Sequence, residues 1–302
     1  MKTNIVNLLI IFNPNAAHGR AQKLLPAIKT EFASHDLSAE FKLTEYPGHG
    51  RKILQDIDLS AYGGVIAAGG DGTVFDVING IMDAEQKPRS RMGVLPVGTG
   101  NAFARELDLL ATDWKEAVNI IATGKTKKVD AGYFETGESS HYYLNILGLG
   151  FVADVSQSAT KLKVFGNPAY ILGVLYQLVF LNHFKLTIEL DGETIDQENI
   201  FVEISNTRYT GTTFLMAPGA KIDDGLLDVT LLQRTSRRRI LKVLPTIFTG
   251  EHVNLSEVTV KQAKHIKIHT DTPKLLTPDG ELLGYSPVEI TCLPQVVEIF
   301  WR

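Results

Sequence analysis

Apolar runs and amphipathic stretches alternate along the first part of the chain. Gly64–Ala68, apolar throughout, reads as a strand covered on both faces. Ile5–Phe12, Glu40–Tyr46 and Arg91–Leu95 read as its neighbours. Between them, spacings of three and four predict helices at Ala21–Ser34, Gly50–Ile57, Val74–Met82, Asn101–Leu107 and Trp114–Thr123. Strand and helix in strict alternation predict a parallel sheet with helices on its faces, a Rossmann-like α/β domain over residues 1–128.

Beyond Lys128 the period changes. Phe184–Leu190 alternates apolar and polar residues and turns at Asp191-Gly192. Similar segments recur at Asn199–Ile204, Leu226–Leu232, Val258–Val260 and His265–His269. Residues 129–291 are therefore expected to form an antiparallel β-sandwich domain with a few helices, one of them from Arg237 to Phe248 behind a Ser236 cap.

Composition narrows the class. A chain of 302 residues, 44% hydrophobic and 21% charged, has room for about two ordinary globular domains. A formal charge of −4 gives no electrostatic case for nucleic acid. The lone Cys292 excludes an internal disulfide framework, suits a reducing cytoplasmic setting, and reads as a small core residue. Ile5–Phe12 is broken by Asn7 and ends at Asn13-Pro14-Asn15 without a cleavage signal, so it is expected to be a first strand rather than a leader. The apolar stretch Ala169–Phe184 is shorter than the ~20 residues of a membrane span and contains Gln177 and Asn182. It reads as a buried or amphipathic helix.

Candidate chemistry sits at two glycine loops. Gly69-Gly70-Asp71-Gly72-Thr73 follows the apolar strand and opens a helix, where glycines let backbone N–H groups approach phosphate and the helix dipole assists. Asp71 would repel phosphate unless a Mg²⁺ bridged the two. Pro96-Val97-Gly98-Thr99-Gly100-Asn101 repeats the design on the next strand–helix unit. Each loop alone also fits an ordinary strand-to-helix turn, with Asn101 as a helix cap. Together they predict one phosphate site at the carboxyl ends of a parallel sheet.

These two loops, with Asn79-Gly80 and Phe103-Ala104-Arg105, resemble the diacylglycerol kinase catalytic domain, a superfamily of bacterial soluble lipid kinases and sphingoid-base kinases. The first loop is also similar to those of NAD kinases and phosphofructokinases, so the second half of the chain discriminates. There Asp279-Gly280-Glu281, followed by Gly284-Tyr285-Ser286-Pro287-Val288, resembles the family's catalytic Asp-Gly-Glu, whereas Asp191-Gly192-Glu193 reads as a plain hairpin turn.

The resemblance implies ATP and Mg²⁺ as cofactors, with Asp71 handling Mg-ATP and Glu281 or Asp279 accepting the proton of the attacking hydroxyl. It implies nucleotide contacts from Asn13, Pro14, Asn15, Ala16 and Ala17, from Thr44, from Gly69, Gly70, Asp71, Gly72 and Thr73, and from Gly98 and Thr99. It implies a structural Mg²⁺ on the Asp224 side chain and the carbonyls of Lys221 and Leu226. The final strand, within about 292–302, is expected to return to the first domain, and ATP to lie between the domains.

Three departures stand out: Ala16-Ala17 where the family has Ser-Gly, Phe75-Asp76 where it has Asn-Glu, and Ala102 after Asn101 where Asp is frequent, the last a form closer to the sphingoid-base branch. The expected activity is ATP-dependent phosphorylation of a diacylglycerol-like membrane lipid. The alternatives are a sphingoid-base or ceramide-type kinase, an NAD kinase, or a non-catalytic nucleotide- or lipid-binding regulator. Expected partners are the lipid substrate and a transiently touched membrane surface, which Arg237, Arg238 and Arg239 would favour. Homodimer formation stays open.

Overall fold

The structure is a computed structural model that describes residues 7–84, 90–137, 139–161, 176, 180–211 and 213–302. The chain forms two compact units, Met1–Val129 with Gln295–Arg302, and Asp130–Pro294.

The first unit alternates β1 (Asn7–Phe12), α1 (Arg20–Ser34), β2 (Ser38–Leu43), α2 (His49–Gln55), β3 (Gly64–Gly69), α3 (Asp71–Asp83), β4 (Met92–Pro96), α4 (Ala102–Glu106) and α5 (Trp114–Thr123). Its strands are parallel in the order β2-β1-β3-β4. β3 and β4 are buried at every residue, which is why their apolar runs carry no alternation. β2 occupies the edge and alternates. It ends at Leu43, level with Phe12 at the end of β1, and the Glu45 N–H is taken by His49 Nδ1 at 3.0 Å, so the predicted extension to Tyr46 is not strand. Positions 5 and 6 of the first predicted strand lie outside the described residues.

The chain leaves this unit along β5 (Thr126–Glu135). In the second unit follow β6 (Ser140–Tyr143), β7 (Ile146–Gly150), α6 (Phe151–Lys161), β8 (Phe184–Leu190), β9 (Glu193–Ser205), β10 (Leu227–Gln233), α7 (Arg237–Val243), β11 (Val258–Ala263), β12 (His265–Thr270) and β13 (Leu276–Pro278). β14 (Val288–Phe300) starts here and ends in the first unit, where Ile299 pairs parallel with Met92 of β4. Pairing within the second unit is antiparallel, with β9 the hub: its first half meets β8, its second half meets β7 on one side, and β10 lies along the other. β8 is buried at every second residue, matching its sequence period.

One expectation in this unit needs correction. The helix predicted from Arg237 to Phe248 is α-helical only to Val243 and continues as a 3₁₀ turn over Leu244–Phe248. Pro245 has no N–H to donate and its ring crowds the Leu241 carbonyl, so the α ladder cannot pass it. β5, β6, β7, α6 and β13 were not anticipated. The helix expected over Ala169–Phe184 falls largely outside the described residues, of which Phe184 opens β8. Among the described residues no helix is long and apolar enough to cross a membrane.

Candidate active site

In the first unit the predicted nucleotide residues converge. Phe12 is level with Leu43 and Ala68, and Ala68 with Leu95, so the loops after β1, β2, β3 and β4 leave the sheet side by side. Backbone bonds knit them: Asn13 N–H to the Ala68 carbonyl at 2.9 Å, Thr44 N–H to Phe12 at 2.8 Å, and Gly98 N–H to Gly69 at 3.0 Å. Asn13–Ala17, Thr44, Gly69–Thr73, Gly98 and Thr99 thus lie along one edge, the carboxyl end of the parallel strands, where ligands bind in such sheets.

The first loop turns sharply. Asn13 Oδ1 accepts the Asn15 N–H at 3.0 Å, and Ala17, His18 and Gly19 follow with φ of 50°, 58° and 79°. Two side-chain-bearing residues in the left-handed region store strain of order 1 kcal/mol or more each. The residue at 17 is alanine here, where the resembled family carries glycine.

The loops after β3 and β4 form one object centred on Asp71. Its Oδ1 accepts the Ala102 N–H at 2.6 Å, so the first-turn residue of α3 caps α4. Burial pushes the Asp71 carboxyl up to about 6, and N–H bonds led by those of Ala102 and Phe103 oppose that rise. A Cβ on Gly100 would stand 2.4 Å from Asp71 Oδ2, and one on Gly98 2.4 Å from the Gly70 Cα. Only glycine permits either approach. Asn101 does not cap α4 as the sequence suggested. It sits at φ 50° and folds back, its Oδ1 accepting the Gly98 N–H at 3.2 Å and its Nδ2 donating to the Gly98 carbonyl at 2.9 Å. Thr99, exposed, crests this loop. Mg²⁺ is held by one or two carboxylates together with substrate phosphates, and a single partly buried carboxylate in a glycine cradle fits that pattern. Asp76, the departure from the family's pattern, accepts the Gly50 N–H at 3.1 Å and so ties α3 to α2.

The second unit holds Asp279 and Glu281 on a tight turn. Asp279 and Gly280 have φ of 48° and 87°, and the Glu281 N–H closes the turn on the Pro278 carbonyl at 2.8 Å. Two left-handed central residues define the type I′ turn that Asp-Gly favours. The Asp279 side chain is only 5% exposed and accepts three backbone N–H groups: Leu144 at 3.0 Å, Asn145 at 2.8 Å and Ile146 at 3.0 Å. Glu281, two residues on, is exposed.

The residues expected to hold a structural metal occupy the turn before β10. Asp224 is exposed and its Oδ1 accepts the Leu226 N–H at 3.1 Å. Asp130, fully buried, accepts the Gly225 N–H at 2.7 Å. Burial, then Asp130 and Asp224, push the Cys292 thiol up to about 12, which keeps it protonated and inert. Carboxylate and carbonyl oxygens are the right donors for a hard cation. No group of three or more His, Cys, Asp and Glu side chains placed to hold a metal occurs among the described residues.

Sequence reasoning missed Asp130 and the bridging part of Asn206, whose Nδ2 donates to the carbonyls of Asp130 at 3.0 Å and Leu144 at 2.9 Å. It also missed Glu203, a buried carboxylate on β9. An isolated acid in a strand carries no local signal of burial.

Residues 7–134 match the family model of the diacylglycerol kinase catalytic domain, and residues 145–301 that of the YegS C-terminal NAD kinase beta sandwich-like domain. A diacylglycerol kinase of Staphylococcus epidermidis is 32% identical over 295 residues, 96% of this chain and 90% of the relative. One of Mycobacterium tuberculosis is 30% identical over 300 residues, 95% and 92% of the two chains. Among solved structures, a Bacillus anthracis protein assigned to the diacylglycerol kinases superposes with a TM-score of 0.81 at 26% identity, covering 100% of this chain and 99% of its own.

Proposed function

The chain belongs to the diacylglycerol kinase family of lipid kinases, and from that premise we propose that it transfers the γ-phosphoryl group of ATP to the free hydroxyl of a diacylglycerol-like membrane lipid. The observation that carries the reading is the Asp279 turn: a buried carboxylate fastened by three N–H groups fixes the backbone from which Glu281 projects.

ATP is assigned to the first unit, with its phosphates on Gly69–Thr73, Gly98 and Thr99 and further contacts from Asn13–Ala17 and Thr44. Asp71 would hold Mg²⁺, which when bound neutralises phosphate charge. Glu281 accepts the proton of the lipid hydroxyl as that oxygen forms its bond to the γ-phosphorus and the bond to the ADP oxygen breaks. Asp279 orients the turn, because its own oxygens are committed to backbone donors. Asp224, with the Lys221 and Leu226 carbonyls, is assigned a second, structural Mg²⁺.

The lipid is the expected partner, met at a cytoplasmic membrane surface. The exposed Arg237 and Arg238 support that contact, while Arg239 is paired with Glu257. A sphingoid-base substrate is favoured by one feature, Ala102 in place of the more frequent acid after Asn101. The test is to incubate the purified chain with γ-labelled ATP, Mg²⁺ and either total lipid extract or NAD. Label is expected in a phosphorylated diacylglycerol. Label in a sphingoid base or in NAD would replace the substrate, and tight ATP binding with no labelled product would leave a non-catalytic regulator.

A further inference from the structure

The connection from β2 to α2 is more elaborate than a link requires. Tyr46, Pro47, Gly48 and His49 form a β-turn, closed by the His49 N–H on the Tyr46 carbonyl at 3.2 Å. Gly48 sits at φ 83° and ψ −7° behind a proline, the pair that a type II turn favours. The rings at the first and fourth positions stack on each other. Their centroids are 4.4 Å apart and their planes 10° from parallel.

The turn is fastened at both ends. Before it, the Thr44 N–H is held by the Phe12 carbonyl and the Glu45 N–H by His49 Nδ1. After it, the Gly50 N–H is held by Asp76. His49 is half-buried, whereas Tyr46 is 51% exposed. One face of the Tyr46 ring therefore rests on an anchored partner, and the other is left to water. Single exposed apolar side chains are common, but ordering one in advance costs rotamer entropy that water does not return. Such ordering lowers the cost of binding a flat ligand. Tyr46 is also the one exposed phenylalanine, tyrosine or tryptophan among the described residues of the first unit, so a ligand there has one such face to meet.

We propose that Tyr46, backed by His49, is the platform on which the base of the bound nucleotide stacks. The inference rests on the assignment of ATP to this unit and deepens it. In the strand order β2-β1-β3-β4, the phosphate loops follow β3 and β4. Neighbouring strands lie ~4.8 Å apart, so the end of β2 stands roughly 10 Å from that of β3, with β1 between. That interval suits a nucleotide lying along the edge, its phosphates on the glycine loops, its ribose over Asn13–Ala17 and its base at the turn after β2. Every base has a π face, so the platform holds ATP and GTP alike and separates both from a bare triphosphate.

The test measures equilibrium binding of ATP, GTP and inorganic tripolyphosphate, each with Mg²⁺, to wild type, Tyr46→Ala and Tyr46→Phe. Tyr46→Ala is expected to weaken ATP and GTP by about tenfold, the effect of removing an aromatic platform from a stacked base, and to leave tripolyphosphate unchanged. Tyr46→Phe, which keeps the ring, should hold wild-type affinity. In turnover the same loss should appear in KM for ATP with kcat unchanged. Unchanged ATP affinity in Tyr46→Ala overturns the proposal. So does an equal loss for tripolyphosphate, which would mark a turn that only shapes the phosphate loops. Weaker binding to anionic vesicles with unaltered nucleotide affinity also overturns it, and would make Tyr46 a membrane anchor. If wild type binds nucleotides yet phosphorylates no lipid, the kinase reading has failed instead, and the binding ratios still decide the platform.

Discussion

The second unit contains the tripeptide Asp-Gly-Glu twice, at 191–193 and 279–281, in nearly the same backbone form. Asp191 and Gly192 have φ of 50° and 94°, against 48° and 87° in the other copy. Both aspartates accept N–H groups from neighbouring chain: Asp191 from Lys264 at 2.9 Å and His265 at 2.8 Å, Asp279 from Leu144, Asn145 and Ile146. They part in burial. Asp191 is exposed at the tip of the β8–β9 hairpin, and Glu193 makes a surface ion pair with Lys261 at 3.1 Å. Asp279 is enclosed behind β13, beside Thr277, whose hydroxyl donates to the Gly148 carbonyl at 3.2 Å. One sequence and one turn thus give a solvent-facing corner in one place and a fixed pedestal in the other. The difference lies in what packs beneath the aspartate.

The sharpest break between the copies is expected at the glutamates. Glu281→Gln should cut phosphoryl transfer by about 10²- to 10⁴-fold, the usual contribution of a positioned general base, with the melting temperature unchanged. Glu193→Gln should leave turnover intact. Equal activities for the two variants would remove Glu281 from the chemistry.

The aspartates should differ next, in stability. Asp279→Ala strands three N–H groups that had a buried, charged acceptor, and should cost about 3 kcal/mol or more, a drop on the order of 10 °C by calorimetry. Asp191→Ala should cost about 1 kcal/mol or less, since its bonds face solvent. The sign of its pH dependence is fixed: the Lys264 N–H, first among several causes, holds the Asp191 carboxyl below its ordinary value. Its contribution is therefore present above the ordinary range near pH 4 and is lost as pH falls through the lower folded value. The gap in melting temperature between wild type and Asp191→Asn should close in acid. A gap that widened there would mean the bond is not made by the ionised form.

The smallest separation is expected at the glycines. Gly192→Ala and Gly280→Ala both force a side chain into the left-handed region and should each cost about 1 kcal/mol. Only Gly280→Ala should also slow turnover, because it moves the turn that carries Glu281.

Much of this molecule is legible in its residues where one local pattern decides the outcome. β3, α5 and β8 stand within a residue of their expected limits because burial on both faces, a 3.6 period and a 2.0 period leave little choice. The loops at 69–73 and 98–99 do share one sheet edge, since consecutive strand–helix units in a parallel sheet place them there. Legibility ends where two distant segments share a bond. Asn101 reads as a cap because its competitor, Asp71, lies thirty-one residues before Ala102 and reaches the Ala102 N–H first. Glu203 carries no mark of burial because nothing in β9 tells that its side chain lies among apolar residues of α6 and α7. Asp130 is silent for the same reason, its partners being Ile222 and Gly225.

Where Gly70 and Gly98 touch, the slack is one-sided: a Cβ on Gly98 would stand 2.4 Å from the Gly70 Cα, whereas one on Gly70 would meet the Gly98 Cα at an ordinary 3.5 Å. A mutational walk cannot enlarge position 98 and shrink its mate to compensate, since Gly70 is already the smallest residue there is. Splicing this chain with a homologue therefore succeeds most readily at seams outside residues 69–101, where both loops come from a single parent.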